Sequence, residues 1–214
     1  MSRTRVHNFC ISLDGFGTGE GQSRQKPFGS ADLRLMAWFD GRVIHGIDKQ
    51  PDIPAGPERV LSSAWGQGIG AEIMGRNKFD PTRPWDPDWP GWWGDAPPFQ
   101  TPVFVLTHHP RPSIEFANGT SFHFVDASPA EALVMAREAA NGDDVRIGGG
   151  VSTLRQFLVA DLVDHMHLAV APMVVGRGER LWDGLEGLHE RFDVQSVTMP
   201  SGVTHLTFTR RPRS

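Results

Sequence analysis

The chain has 214 residues, 25 acids against 21 Lys/Arg for a formal charge of −4, 39% hydrophobic residues and one cysteine. A chain this long buries enough surface to fold without a disulfide or metal, its apolar content excludes global disorder, and slight acidity without a Lys/Arg cluster argues against a nucleic-acid partner. Cys10 has no internal bridge partner, no leader-like segment precedes Asp14, and the longest apolar run, Leu168–Val175, is far below the roughly 18 residues of a membrane span, so a cytoplasmic protein away from membranes is expected.

One domain over residues 1–214 is the expectation for this length. Residues 3–12 read as a first strand that stops at the turn signal Asp14-Gly15. The glycine-rich stretch GFGTGEGQSRQKPFGS, 15–30, has no regular period and reads as a long loop of lid type. Ser30 is placed to cap a helix carrying Leu33, Met36 and Ala37 on one face and ending near Asp40-Gly41. A polar connection over 41–57 leads to a helix from Pro57 to Trp65, with Pro57 at a first helical position. Ile69–Met74 reads as a buried strand, and 81–101, with six prolines and four tryptophans, as a long loop that cannot carry a sheet ladder.

The second half alternates. Strands are expected at 102–107 and 120–125, followed by a helix over 128–140 that opens on a capping box of Ser128 and Glu131. A short strand, 144–147, runs into Gly148-Gly149-Gly150 and then a helix whose apolar face is Leu154, Phe157 and Leu158. Strands are expected at 165–173, 190–198 and 203–209, the last two joined by the turn Pro200-Ser201-Gly202. Strands alternating with helices and closing on a hairpin predict an α/β fold with a mostly parallel sheet, helices on both faces, and a ligand at the carboxyl ends of the strands.

The clearest chemical signal is VRIGGGVSTLRQF. A strand that ends in three glycines and opens a helix exposes backbone N–H groups to an anion, with the helix dipole and the hydroxyls of Ser152 and Thr153 adding to it. A tight turn requiring positive φ is the simpler alternative. In MGRNKF, Gly75 follows a strand, and Arg76 and Lys78 offer a fork and a point charge to a phosphate, or are only solvated. GQGIGA, 66–71, fits a dinucleotide pattern formally but has a helix before it and a strand after, the wrong order. His165 and His167 share a strand face, yet no further ligand set stands at metal spacing, so ordinary strand histidines are the better reading and a metal hydrolase is a distant alternative. Cys10 reads as a small buried apolar residue. Trp85, Trp89, Trp92 and Trp93 either stack on a planar ligand or form a satellite cluster under the loop.

Taken in order, SLDGF (12–16), IMGRNKF (73–79), PVFVLTHHP (102–110), RIGGGVSTLRQFL (146–158), LVDHMHLAVAPMVVGRGERLW (162–182) and GVTHLTF (202–208) resemble the dihydrofolate-reductase-like family. That family includes the C-terminal reductase domain of the bifunctional riboflavin-biosynthesis deaminase/reductase, and this chain is most similar to its stand-alone bacterial members. The resemblance implies a three-layer fold with a central sheet of about eight strands and NADPH bound across the carboxyl ends. It also implies hydride transfer to a pteridine-, pyrimidine- or flavin-precursor-like heterocycle, as in 5-amino-6-(5-phosphoribosylamino)uracil reductase, without a redox metal, in a homodimer. Gly148, Gly149, Gly150, Val151, Ser152 and Thr153 match the pyrophosphate turn, and Gly75, Arg76, Asn77 and Lys78 the segment that holds the adenosine-side phosphate. Thr107 and His108 border the adenine ribose, while Ser12, Asp14, Gly15 and Phe16 belong to the substrate and lid side. A threonine is usual in the family after Gly75-Arg76, where this chain has Asn77 and Lys78, and the choice between NADPH and NADH stays open. Asp32 is the one candidate for a catalytic acid that orients a ring N–H or assists protonation, or else a helix-start charge. Dihydrofolate reduction and nucleotide binding without turnover remain alternatives.

Overall fold

The computed structural model describes residues 2–39, 57–64 and 66–212, without the side chains of Pro57 and Ser63. The expected helix end at Asp40-Gly41, the connection over 41–56 and Trp65 lie outside the described residues. Among the described residues there are eleven strands: β1 Thr4–Ser12, β2 Phe16–Gly19, β3 Ile69–Gly75, β4 Pro102–Leu106, β5 Ile114–Glu115, β6 Ser121–Val125, β7 Asp144–Gly149, β8 His165–Ala171, β9 Gly178–Arg180, β10 Phe192–Thr198 and β11 Thr204–Arg210. The α-helices are α1 Pro57–Ser63, α2 Arg76–Phe79, α3 Pro129–Ala139 and α4 Val151–Val159.

Nine strands form one sheet in the order β10-β11-β8-β1-β7-β3-β4-β6-β5. The six from β8 to β6 run parallel, and β11, β10 and β5 are antiparallel additions at the edges. Strand alternation sorts the side chains between two faces. On β3, Ala71 and Ile73 pack with Leu133 and Ala136 of α3 and with Leu154 and Phe157 of α4. Met74, from the other face, packs with Phe79, Val103, Val105 and Phe122. Farther along that second face, Cys10 and Ala169 meet Leu35 and Trp38, with Leu61 of α1 against them.

Local signals explain most of these elements. The Ser128 side chain accepts from Glu131 N–H while the Glu131 carboxylate reaches back to Ser128, so both halves of the capping box of α3 are made. The GQGIGA stretch is a turn at 66–68 that runs straight into β3 at Ile69, so the helix a dinucleotide pattern needs after it is absent.

Two expectations need correction. The stretch from Gly15 to Ser30 is not all loop, because β2 pairs antiparallel with β9 in a small second sheet. The helix expected behind Ser30 is two short 3-10 turns, Gly29–Ala31 and Leu33–Met36. Gly29 and Asp32 have φ of +58° and +54°, which no right-handed helix accommodates, and the Asp32 side chain caps the second turn by accepting from Arg34 N–H.

Candidate functional site

The parallel strands end on a cleft of about 1600 Å³. Its wall takes Phe9 and Cys10 from β1, Gly75 from β3, Leu106 from β4 and Gly148 from β7, a setting that α/β sheets use for ligands. Of the residues singled out in the sequence, Asp32, Gly75 to Lys78, Thr107, His108, Gly148 and Gly150 to Thr153 line this one cleft. Ser12, Asp14, Gly15 and Phe16 are not among the lining residues, whereas Gly17 and Thr18 of β2 are.

The junction of β7 and α4 is built for close approach. Gly149 has φ +107°, and its peptide to Gly150 is cis. Gly150 is the N-cap of α4, no side chain caps the helix, and a Cβ on Gly150 would meet nothing within 4 Å. The first N–H groups of α4 therefore have neither an intrahelical acceptor nor a side-chain cap. Gly75 faces them across the cleft floor, where a Cβ would collide with Thr153 Oγ1. Strand β3 thus passes against α4 only because residue 75 lacks a side chain.

Beneath the turn lies a charge cluster that sequence reasoning missed. Glu72 of β3, with 1% of its side chain exposed, pairs with buried Arg146 of β7 and with Lys78 Nζ at 3.1 Å. Lys78 Nζ also donates to Gly148 O at 2.9 Å, tying the glycine turn to α2. Burial pushes the Lys78 and Arg146 pKa values down, against the pull of the Glu72 charge. The signal was one charged residue inside each of two apolar strand runs, IGAEIM and VRIG, which only a partner across the sheet makes tolerable.

The remaining polar residues differ in how far they are engaged. Arg76 donates to Thr82 O and lies over the Trp85 ring, 5.0 Å from its centroid, and burial foremost, then the Arg83 charge, pull its pKa down. His108 Nδ1 stands 2.9 Å from Asp126 Oδ1 at the mouth of the cleft. The Asp32 carboxylate is 57% exposed, 3.4 Å from Arg34. The Asp14 carboxylate accepts from Ser12 Oγ at 2.5 Å, Val175 N–H at 3.1 Å and Gly176 N–H at 2.7 Å. Desolvation works against its charge, but these donors outweigh it and hold the Asp14 carboxyl below its usual range.

The four loop tryptophans form the satellite cluster that was one of the two readings made from the sequence. They pack with Phe79, Phe122 and Phe124 as a satellite cluster, and all four also line the cleft. Cys10 is buried, accepts from Trp38 Nε1 at 3.2 Å, and has its thiol pushed up to about 12 by burial. His167 is turned to Asn8 and His205, and no group of three or more His, Cys, Asp or Glu among the described residues is arranged to hold a metal ion. No helix among the described residues is long and apolar enough to cross a membrane.

Compared with known proteins, residues 4–205 match the family model described as the RibD C-terminal domain. The chain belongs to that family. Among solved structures, this RibD C-terminal domain is similar to a putative riboflavin biosynthesis protein from Shewanella sp. PV-4, with 22% identity and a TM-score of 0.63 over 98% of this chain and 99% of that one. It is also similar to the diaminohydroxyphosphoribosylaminopyrimidine deaminase/5-amino-6-(5-phosphoribosylamino)uracil reductase of Thermotoga maritima, at 12% identity and a TM-score of 0.57 over 98% of this chain. RibD of Acinetobacter baumannii follows at 16% identity and a TM-score of 0.51 over 99% of this chain. The chain spans 57% and 59% of the lengths of those last two proteins. No curated protein matches. At these identities the likeness to solved structures shows the shared fold.

Proposed function

We propose that this RibD C-terminal domain is an NADPH-dependent oxidoreductase that reduces a small heterocycle, with 5-amino-6-(5-phosphoribosylamino)uracil reduction as the closest chemistry. One observation carries the reading: the junction of β7 and α4 presents uncapped helix N–H groups at the carboxyl ends of parallel strands with no side chain in front of them. The residues present fit the cofactor. The N–H groups of Val151 to Thr153 and the exposed Ser152 hydroxyl are donors for a pyrophosphate, and the space where a Gly150 Cβ would stand is open. Arg76, Arg83, Thr107 and His108 line the same cleft as candidates for the ribose and its phosphate. NADPH, when bound, supplies the hydride.

The chain itself positions and shields. Lys78 and Glu72 hold the glycine turn from below, and Trp85, Trp89 and Trp92 line the cleft with apolar surface that displaces water. The far part of the wall, with Asn8, Phe28, Asp32, Met36 and Phe39, is proposed for the substrate, Asp32 being the carboxylate in reach of a ring N–H. Membership of the RibD C-terminal domain family and the riboflavin-biosynthesis names of the similar structures support this reading. A cytoplasmic setting and a homodimer, the latter to be read from sedimentation, are part of the same proposal.

The test is a tryptophan-fluorescence titration with NADPH and with NADH on the wild type and on Gly150→Asp. Asp suits an N-cap, so the variant keeps its fold while placing a negative charge where the pyrophosphate would lie. Wild-type binding that is lost in the variant supports the reading and justifies a turnover screen of ribosylaminouracils and pteridines. Failure of both nucleotides to bind, or equal binding by the variant, overturns it.

A further inference from the structure

Two guanidinium groups, those of Arg76 and Arg83, face the cleft where β3 ends, and neither is paired with a carboxylate among the described residues. Arg76 follows Gly75 directly. Its Nη2 donates to Thr82 O, its guanidinium lies 5.0 Å from the centroid of Trp85, and Nη1 reaches Asn77 Oδ1 only at 3.5 Å. The chain thus folds back over Arg76 from Thr82 to Trp85. Arg83, between those two contacts, is exposed and lines the same cleft. The two charges stand close enough to act on each other: after burial, the larger cause, the Arg83 charge pulls the Arg76 pKa down, with the Asp80 charge a smaller pull the other way.

The other charged groups of this end are already engaged. Asp80 and Asp86 bond Arg24 at 2.8 Å and 3.0 Å, and Asp126 stands 2.9 Å from His108 Nδ1. Lys78, the second cation of the GRNKF segment, is committed elsewhere, because its Nζ bonds Glu72 Oε1 at 3.1 Å and Gly148 O at 2.9 Å. Arg83, which lies outside that segment, is the cation left beside Arg76.

A guanidinium stays charged at every pH at which a protein is folded, so two of them side by side cannot relieve their repulsion by losing a proton. The fold fixes Arg76 through Thr82 O and Trp85 yet gives neither group a paired carboxylate. An anion from outside then relieves the repulsion, and the planar fork of donors on each guanidinium matches phosphate oxygens. Thr107 and His108, at the end of the neighbouring strand β4, line the cleft as well. On the reductase reading this end takes the adenosine ribose, on the far side of Gly75 from the first turn of α4.

We propose that Arg83, together with Arg76, holds the 2′-phosphate of the nicotinamide cofactor and so makes the cleft select NADPH over NADH. This deepens the reductase reading and rests on it. A 2′-phosphate is a phosphomonoester with a charge of about −1.5 to −2 at neutral pH, enough to engage both guanidinium groups. NADH offers a neutral hydroxyl at the same place. The ribose 5-phosphate part of a ribosylaminouracil is a phosphomonoester too, so the experiment separates the two sources.

The experiment is isothermal titration calorimetry of the full chain with NADPH, with NADH and with ribose 5-phosphate, on the wild type and on Arg83→Gln. Arg83 is exposed, and the variant keeps the fold. The wild type is expected to bind NADPH at least about tenfold more tightly than NADH, the advantage of a hydrogen bond to a charged group. Arg83→Gln should weaken NADPH about tenfold and leave NADH unchanged, and added salt should narrow the wild-type difference. Equal wild-type affinity for the two nucleotides, or a preference that persists in Arg83→Gln, overturns the proposal and leaves the reductase reading standing. Ribose 5-phosphate binding that is lost in Arg83→Gln, without a preference for NADPH, assigns the pair to a substrate phosphate and overturns it as well. Failure of both nucleotides to bind overturns the proposal and the reductase reading together.

Discussion

Arg24, in the segment between β2 and the first 3-10 turn, forks onto the buried carboxylate of Asp80 just after α2, with Nη2 2.8 Å from Oδ2 and Nε 3.2 Å from Oδ1. The same guanidinium lies 4.0 Å from the centroid of Trp89 and bonds Asp86 at 3.0 Å. Two loops that both line the cleft are joined through this one side chain.

Replacing Arg24 by Met keeps the stacking bulk and removes the fork, leaving Asp80 with the two donors of Thr82. A loss of about 2 kcal/mol is expected, the range for hydrogen bonds to a buried charged group. Burial disfavours the charged Asp80, but the bonds from Arg24 and Thr82 outweigh it and lower its folded pKa. A lowered carboxyl pKa adds stability that is complete above the unfolded value near about 4 and is lost as pH falls through the folded one. Urea denaturation of both proteins as a function of pH should show the gap closing only in acid.

Gly75→Ala should be destabilising because the new Cβ meets Thr153 Oγ1. The coupled variant Gly75→Ala/Thr153→Ala removes that oxygen and should recover about 1 kcal/mol, the size of interaction energy expected between residues in contact. Thermal denaturation of the two single variants and the double variant gives the coupling directly. Additive effects would mean that β3 and α4 do not meet there.

Glu72→Gln leaves Lys78 and Arg146 facing a neutral amide. Breaking a buried pair by removing one partner costs about 3–5 kcal/mol, and the low end is expected because the Lys78 side chain is 29% exposed. Chemical denaturation measures it. Affinity for the proposed cofactor, NADPH, should fall in parallel, since Lys78 also holds Gly148 O.

Much of the scaffold was legible because its signals are local. The apolar run PVFVL, the capping box Ser128–Glu131 and the glycine triplet before α4 each act within a few residues, and each forms the element expected of it. The 3-10 turns behind Ser30 were not legible: apolar spacing suggests a helix, while the positive φ at Gly29 and Asp32 is set by the packing of that segment against β2 and the sheet. For the same reason β2 was hidden, since its partner β9 lies some 160 residues along the chain.

The sequence by itself determined most of the element types, the mostly parallel α/β class and the glycine turn that faces the cleft, because periodicity, caps and glycine act through short-range sterics and hydrogen bonds. Only the tertiary structure decided which polar groups meet. Crossover connections put β7 between β1 and β3 and put β11 beside β8, so Glu72 finds Arg146 and His167 finds His205 across neighbouring strands. A buried charge or imidazole must be paired, but which residue pairs it is fixed by strand order and register, and those are properties of the whole sheet.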